Sequence, residues 1–277
     1  MPPVAPAERL HTLSVGEQGP RVAFLHGLFG QGRNWMQVAR AVAGPDGTDA
    51  RCLLVDLPNH GRSPWTEAFD YRDLADRVAV ELRAVGGDDR WNLVGHSLGG
   101  KVAMTLALRH PDLLDRLAVV DIAPVGYGDL SRFAGYIEGM RTMPLDRITD
   151  RAAAEEWFAH VDPDPGVRAF LLQNLRRDGA GWTWQPNLEL VAADAARGRG
   201  SAIAGFPEAG DATFDGPVLW LAGGESGYVR DDDEPPMRAL FPRVRLVRVR
   251  GVGHWVHSQA PDVTVQALEM WLAKPVG

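Results

Sequence analysis

The stretch that most restricts the fold of this chain is the pentapeptide GHSLG at residues 95–99, which follows the apolar run Trp91–Val94. A Gly-x-Ser-x-Gly pattern between a strand and a helix is typical of a chain that turns sharply at the serine. Glycine suits such a turn because it has no side chain to collide with neighbouring backbone. The pattern predicts a strand that ends before Ser97, a helix from Leu98 to Arg109, and a serine hydroxyl exposed between them.

Apolar runs typical of buried strands recur along the chain, and most of them precede a helical pattern. Besides the run before Ser97, they are Arg21–His26, Cys52–Asp56, Leu117–Ile122, Val218–Ala222 and Val244–Val249. Buried strands that alternate with helices predict an α/β protein with a mostly parallel, doubly wound sheet and helices on both faces. Leu10–Val15 alternates apolar and polar residues and predicts an antiparallel edge strand.

The stretch between Gly126 and Thr213 breaks this alternation, and its clearest helical segments are Asp150–His160 and Val167–Arg177. An insertion between two strands predicts a helical cap over the carboxyl ends of the strands, where such sheets hold their sites. We therefore expect a core domain of residues 1–125 and 214–277 and a helical cap of residues 126–213. Farther along, the acidic run Asp231–Glu234 is interpreted as a solvated turn.

The cap is rich in aromatic residues, which either line an apolar pocket or form the cap's own core. They are Phe133, Tyr136, Trp157, Phe158, Phe170, Trp182 and Trp184.

Charge and hydropathy exclude several classes of function. The chain of 277 residues has a formal net charge of −7 and no run rich in Lys or Arg, so no nucleic-acid partner is expected. No apolar stretch approaches the roughly 18 residues of a membrane span. The amino terminus has no basic and apolar export signal, and the single Cys52 excludes an internal disulfide. We expect a cytoplasmic protein and leave its oligomeric state open.

Ser97 needs a base to become a nucleophile, and an acid to orient that base. In this kind of sheet the chain order is serine, acid, histidine. His254 fits the last place because it follows the last strand in the glycine-rich stretch GVGHW (251–255). His254 and His257 also form a His-x-x-His pair, but no third ligand stands at a recognisable spacing, so we expect no metal and no cofactor.

Two residues are candidates for the acid. The turn after Val218–Ala222 is the usual place, but Ser226 stands where an Asp is expected, beside Glu225. Asp121 ends an apolar strand that should neighbour the strand before Ser97. A buried carboxylate needs a partner, and this argument favours Asp121 over Glu225.

Backbone N–H groups should stabilise a negative charge that develops beside Ser97. One is the N–H of Leu98, directly after the serine, and the other is expected from Leu28 in the loop after the first core strand. Phe29, His96 and Trp255 flank these groups and are predicted to contact substrate.

The chain resembles the α/β-hydrolase superfamily over nearly its whole length. The motifs are HGLFG (26–30), DLPNHGRSP (56–64), GHSLGGKVAM (95–104) and GVGHWVH (251–257). It is similar to the small serine esterases that include esterase YbfF and the abhydrolase-11 proteins, through VDIAPV (120–125), GGESGYV (223–229) and WTWQPNL (182–188). The resemblance implies an α/β-hydrolase fold and hydrolysis of esters or thioesters. That subgroup also lacks the usual Asp, and an acid after the sixth strand has been proposed there, which supports Asp121.

The sequence thus predicts a serine hydrolase, a carboxylesterase that cleaves a small-molecule ester or thioester through an acyl-enzyme on Ser97. Cofactor-free perhydrolysis of the haloperoxidase type, lactone hydrolysis and carbon–carbon bond hydrolysis use the same three residues and stay open. So does a non-catalytic ligand receptor on the same fold. A P-loop is not predicted, because Val102 follows Lys101 where Ser or Thr would bind Mg²⁺.

Overall fold

The centre of the molecule is a seven-stranded sheet. The structure is a computed structural model that describes residues 8–128, 131–179 and 181–274. The strands of these residues are β1 (Thr12–Val15), β2 (Arg21–Leu25), β3 (Arg51–Val55), β4 (Trp91–His96), β5 (Leu114–Val120), β6 (Leu175–Asp178), β7 (Gly181–Trp184), β8 (Val218–Gly223) and β9 (Val244–Val249). The sheet has the order β1-β3-β2-β4-β5-β8-β9, and β6 pairs with β7 apart from it. Within the seven-stranded sheet of the described residues, only β1 runs antiparallel to its neighbour, and it lies at the edge, so both sheet predictions are confirmed.

Helices cover both faces of the sheet, and further helices lie in the stretch between β5 and β8. They are α1 (Met36–Val42), α2 (Tyr71–Gly86), α3 (Leu98–Arg109), α4 (Ser131–Thr142), α5 (Arg151–Phe158), α6 (Pro165–Leu172), α7 (Leu188–Ala195), α8 (Glu234–Leu240), α9 (Val256–Gln259) and α10 (Pro261–Leu272). Apolar residues of α1 and α10 form the core on one face, and those of α2, α3 and α8 form the core on the other. This is the doubly wound arrangement that the alternating strands and helices predict.

The strand order reverses beside β2. After β2 the chain crosses to β3 on one side, and it then returns to β4 on the other side. At such a reversal the loops that follow the two strands diverge and leave a crevice at their carboxyl ends. The loop after β2 and the turn at Ser97 after β4 therefore meet at one point.

The chain between β5 and β8 holds α4 to α7 and the hairpin β6–β7, and it contacts the loops at the carboxyl ends of the strands. Asn174 Nδ2 donates to Phe29 O at 2.7 Å, and Trp65 Nε1 donates to Gln185 O at 3.1 Å. Lys101 Nζ donates to Ala204 O at 2.9 Å. These contacts support a cap over the site, and its division from the core at 125/126 and 213/214 stays a prediction.

Two local predictions are wrong. Helix α6 ends at Leu172, and β6 begins at Leu175 and pairs with β7, so the helix expected over Val167–Arg177 is too long. The alternation of Trp182 and Trp184 after a glycine-containing turn is the hairpin pattern that this prediction missed. The acidic run is also not a solvated turn throughout, because Asp233 is buried and accepts the N–H of Arg230 at 2.8 Å.

Candidate active site

Ser97 lies in the tight turn between β4 and α3, in the left-handed region at φ 52°. Its N–H donates to Val120 O at 3.0 Å, which fastens the turn to β5. A Cβ at Gly95 would lie 2.3 Å from Gly99 O, and one at Gly99 would lie 2.4 Å from His26 O. Neither glycine could carry a side chain without moving backbone, as the sequence pattern predicts.

Hydrogen bonds join Ser97, His254 and Asp121 in one series. His254 Nε2 lies 3.0 Å from Ser97 Oγ, and His254 Nδ1 lies 2.8 Å from Asp121 Oδ2. An ionised carboxylate only accepts hydrogen bonds, so the ring proton belongs on Nδ1, and the Nε2 lone pair faces the serine hydroxyl. In this tautomer His254 can take the proton of Ser97.

Asp121 is fully buried at the end of β5, with its backbone at φ 51°. Its Oδ1 accepts the N–H of Gly223 at 2.8 Å, and its Oδ2 accepts the hydroxyl of Ser226 at 2.5 Å as well as the imidazole of His254. These bonds offset the cost of burying the carboxylate. Glu225 is exposed, and within the described residues it makes no hydrogen bond to His254. The arrangement favours Asp121, and the catalytic role of the carboxylate stays a prediction.

The loop of His254 is held from two sides. His96 Nε2 donates to the backbone oxygen of His254 at 2.8 Å. The Tyr228 ring lies 4.2 Å from the His254 ring, centroid to centroid. His96 therefore supports the histidine loop through its own hydrogen bond, a contact that the sequence pattern did not predict.

The N–H groups of Leu28 and Leu98 flank Ser97 from the loop after β2 and from the start of α3. The Leu28 loop is a turn closed by Gly30 N–H to Gly27 O at 2.9 Å, with Phe29 at φ 60°. Within the described residues neither N–H donates to a protein oxygen. Two free donors beside the nucleophile suit an oxyanion, and this role also stays a prediction.

A family model described as the α/β hydrolase fold matches residues 20–261. This chain belongs to the α/β hydrolase family. The mouse (Mus musculus) sn-1-specific diacylglycerol lipase ABHD11 is 36% identical over 258 residues, which cover 92% of this chain and 81% of the mouse protein. The esterase YbfF of Escherichia coli (strain K12) is 30% identical over 264 residues, covering 95% and 97% of the two chains.

A solved structure of an esterase from a marine microorganism superposes on this α/β hydrolase with a TM-score of 0.88 and 29% identity. The match covers 95% of this chain and 99% of that protein. The resemblance and the fold inferred from the motifs are confirmed. In the described ranges, no helix of this hydrolase is long and apolar enough to cross a membrane.

A buried histidine, His26, fixes the Leu28 loop of this α/β hydrolase. Its Nε2 accepts the N–H of Leu57 at 2.9 Å, so the ring is neutral and its Nδ1–H donates to Gly27 O at 2.8 Å. Burial lowers the pKa of His26, in keeping with a neutral ring. Sequence reasoning missed this residue, although His-Gly at the end of a strand was a visible pattern.

Three more histidines of the hydrolase are buried beside the site. Desolvation lowers the pKa of His60 and of His257 to about 3, and it holds the pKa of His96 well below its usual value. His257 stacks on Trp35 with ring centroids 4.4 Å apart, and its Nδ1 has no hydrogen-bond partner in the described part of the chain. His257 thus packs as a neutral aromatic ring.

Two cavities of about 30 Å³ each meet at Ser97 in this hydrolase. The first, the histidine-side cavity, is lined by His254 together with the predicted substrate contacts Phe29, His96 and Trp255. The second, the lysine-side cavity, is lined by Leu28, Leu98, Lys101, Tyr127 and Ala204 among others. Both have mostly apolar walls, and the substrate-binding roles stay predictions.

A third cavity of about 290 Å³, the vestibule, adjoins the histidine-side cavity of the hydrolase. The two share Asn34, Phe170, Trp255 and His257. Of the seven cap aromatics, those that line the cavities at Ser97 are Phe133, Tyr136 and Phe170. The others line neither cavity and pack within the cap, where Phe158 contacts Trp157 and Trp184. Some of the seven cap aromatics thus line an apolar cavity, and the others form the core of the cap.

Proposed function

We propose that this α/β hydrolase is a carboxylesterase that cleaves a small-molecule carboxylic ester or thioester through an acyl-enzyme on Ser97. The observation that supports this most is the series of hydrogen bonds from Asp121 through His254 to Ser97, at 2.8 and 3.0 Å. Three groups in this order convert a weakly acidic hydroxyl into a nucleophile.

In the first half of the reaction, Ser97 Oγ attacks the carbonyl carbon while its proton passes to His254 Nε2. The carbonyl oxygen becomes an oxyanion, which the N–H groups of Leu28 and Leu98 stabilise. The tetrahedral intermediate collapses, the bond to the leaving group breaks, and His254 returns the proton to the departing oxygen or sulfur. Asp121 keeps the imidazole oriented and stabilises its protonated form.

In the second half, water takes the place of the leaving group. It gives a proton to His254 Nε2 and attacks the acyl carbon, and the same two N–H groups stabilise the second oxyanion. When the bond to Oγ breaks, the proton returns to Ser97 and the carboxylic acid leaves. No cofactor is needed for either half.

The names of the relatives support ester cleavage, since those compared are an sn-1-specific diacylglycerol lipase and two esterases. Perhydrolysis, lactone hydrolysis and carbon–carbon bond hydrolysis would use the same residues. They therefore belong in the assay panel as competing reactions.

The test combines labelling of the serine with a substrate panel. A fluorophosphonate should label the wild-type enzyme and fail to label Ser97→Ala, and ester hydrolysis by that variant should fall by about 10⁶, as when a serine protease loses its nucleophile. The panel consists of p-nitrophenyl esters and acyl-CoA thioesters of graded length, a lactone, a diketone for carbon–carbon bond hydrolysis, and acetic acid with peroxide. A folded Ser97→Ala enzyme that keeps a tenth of the wild-type rate would refute the serine mechanism.

A further inference from the structure

Lys101 has a buried side chain one helical turn beyond Ser97 on α3, and it lines the lysine-side cavity. Within the described residues it forms no ion pair with a carboxylate. Its Nζ donates instead to the backbone oxygens of Ala204 at 2.9 Å and Gly205 at 2.5 Å. It also lies 4.6 Å from the centre of the Tyr127 ring.

These two acceptors belong to residues 201–205, a turn segment without regular secondary structure that forms part of the same cavity wall. From the cap, the Asp194 carboxylate accepts the hydroxyl of Ser201 at 2.6 Å and the N–H of Ile203 at 3.0 Å. From the core, Tyr71 donates to Ile203 O at 3.0 Å. At the far end of this segment, Lys101 ties Ala204 and Gly205 to the helix that carries Ser97, and the N–H of Tyr127 also donates to Ala204 O at 2.9 Å.

The position of His254 assigns the two cavities to the two parts of an ester, given the proposed function on which this inference rests. His254 must return a proton to the leaving group, so the leaving group lies on the side where His254 is. His254 lines the histidine-side cavity, which leads to the vestibule, and does not line the lysine-side cavity. The acyl chain therefore extends from Ser97 toward Lys101.

The lysine-side cavity is small. Its volume is about 30 Å³, against about 290 Å³ for the vestibule. A short acyl chain therefore suits this cavity better than a long one. Ile203 and Ala204 form one side of its wall, and Lys101 is among the residues that hold this side in place against a longer chain.

We propose that the lysine-side cavity is the acyl subsite, that it restricts this enzyme to short-chain acyl esters, and that Lys101 sets this limit by fastening residues 201–205. Lys101 acts as a specificity-determining residue and takes no part in the bond changes at Ser97. Methionine has a similar length and no N–H, so Lys101→Met removes both hydrogen bonds and keeps most of the volume.

The experiment measures kcat/KM of p-nitrophenyl acetate, butyrate and octanoate for three enzymes. The wild type should prefer acetate or butyrate, and Lys101→Met should raise the octanoate-to-acetate ratio by about tenfold, since single methylenes in a fitted pocket are worth that much. The matched control is Arg72→Met, because exposed Arg72 also donates to a backbone oxygen of this region, that of Glu208 at 3.1 Å, but does not line the cavity. Its ratio should equal that of the wild type.

A second variant covers the case in which Lys101→Met does not fold. Ile203→Ala enlarges the lysine-side cavity directly and should shift the ratio in the same direction. A wild type that prefers octanoate, or folded variants whose ratio stays at the wild-type value, would overturn the inference while leaving the proposed function intact. Absence of hydrolysis at every chain length, together with absence of fluorophosphonate labelling at Ser97, would overturn both.

Discussion

The hydroxyl of Ser226 donates to Asp121 Oδ2 across 2.5 Å, and the same oxygen accepts the imidazole of His254 at 2.8 Å. Ser226 stands after β8, where the acid of this fold is usually expected. The Asp121 carboxylate lies at the end of β5 instead, and the Ser226 hydroxyl donates to it from the usual place; the role of Asp121 as the acid stays a prediction. Residues of the two neighbouring strand ends thus meet at one oxygen atom.

Asp121→Asn should lower kcat by up to about 10⁴ and leave KM nearly unchanged, because asparagine favours the wrong imidazole tautomer. Asparagine tolerates the left-handed backbone of this position, at φ 51°, so the fold should persist. The matched control is Glu225→Gln, whose kcat on the same ester should stay within a few-fold of the wild type. If Glu225→Gln were the crippled enzyme and Asp121→Asn stayed active, the acid would be Glu225.

Ser226→Ala should reduce kcat by about tenfold or less, because it removes one of three hydrogen bonds to the Asp121 carboxylate and leaves the imidazole contact in place. In the Asp121→Asn background, Ser226→Asp should restore part of the lost activity, since it returns a carboxylate next to the same ring nitrogen. Steady-state rates of the single and double variants measure this. A double variant slower than Asp121→Asn alone would contradict the expectation that a carboxylate at residue 226 can replace that of Asp121 beside His254.

Phe170→Ala should favour esters of bulky alcohols. Phe170 and Trp255 border both the vestibule and the histidine-side cavity, with ring centroids 6.1 Å apart. Removal of the Phe170 ring widens the route of the leaving group. The ratio of kcat/KM for naphthyl acetate to kcat/KM for methyl acetate should therefore rise by about tenfold. Trp182→Ala is the control, because Trp182 packs on Arg177 at 4.2 Å and lines neither cavity. Equal selectivity in the two variants would place the route elsewhere.

The enzyme should lose stability as the pH falls below about 6.5. His60 and His257 have a pKa of about 3 in the folded protein, whereas a histidine in the unfolded chain titrates near 6.5. Between these values the unfolded chain binds protons that the folded one does not. The free energy of unfolding therefore decreases as the pH decreases. Each of the two residues contributes about 1.4 kcal/mol per pH unit over this range.

Urea unfolding at several values between pH 4 and pH 7 measures this slope, and His257→Phe isolates the contribution of one histidine. Phenylalanine keeps the stack on Trp35 and has no proton to bind, so the slope should become shallower by about 1.4 kcal/mol per pH unit. Equal slopes for His257→Phe and the wild type would show that His257 does not resist protonation.

Much of the fold followed from local patterns. The apolar runs predicted the sheet, since strands that are buried on both faces have few polar residues. The turn at Ser97 was predictable because its glycines meet backbone at 2.3 and 2.4 Å, a constraint that leaves a fixed pattern in the sequence. Chain order and strand adjacency also predicted that His254 and Asp121 lie near Ser97, as their hydrogen bonds show, and the catalytic roles of both residues stay predictions.

Other features depend on contacts between residues far apart in the chain. Lys101 meets Ala204 and His26 meets Leu57 only through the tertiary fold, and the local sequence of either partner gives no indication of the pairing. The hairpin β6–β7 was overlooked because the apolar spacing of α6 seemed to continue into it. The size of the two cavities depends on side-chain packing, which no pattern of residue types contains.

Asn174 joins the cap to the loop that carries the Leu28 donor, because its amide donates to Phe29 O at 2.7 Å and its oxygen accepts from Gln31 at 2.9 Å. The loop beside Ser97 is thus fastened to the cap as well as to β2. A substitution at residue 174 would therefore alter the support of this loop without touching Ser97, His254 or Asp121.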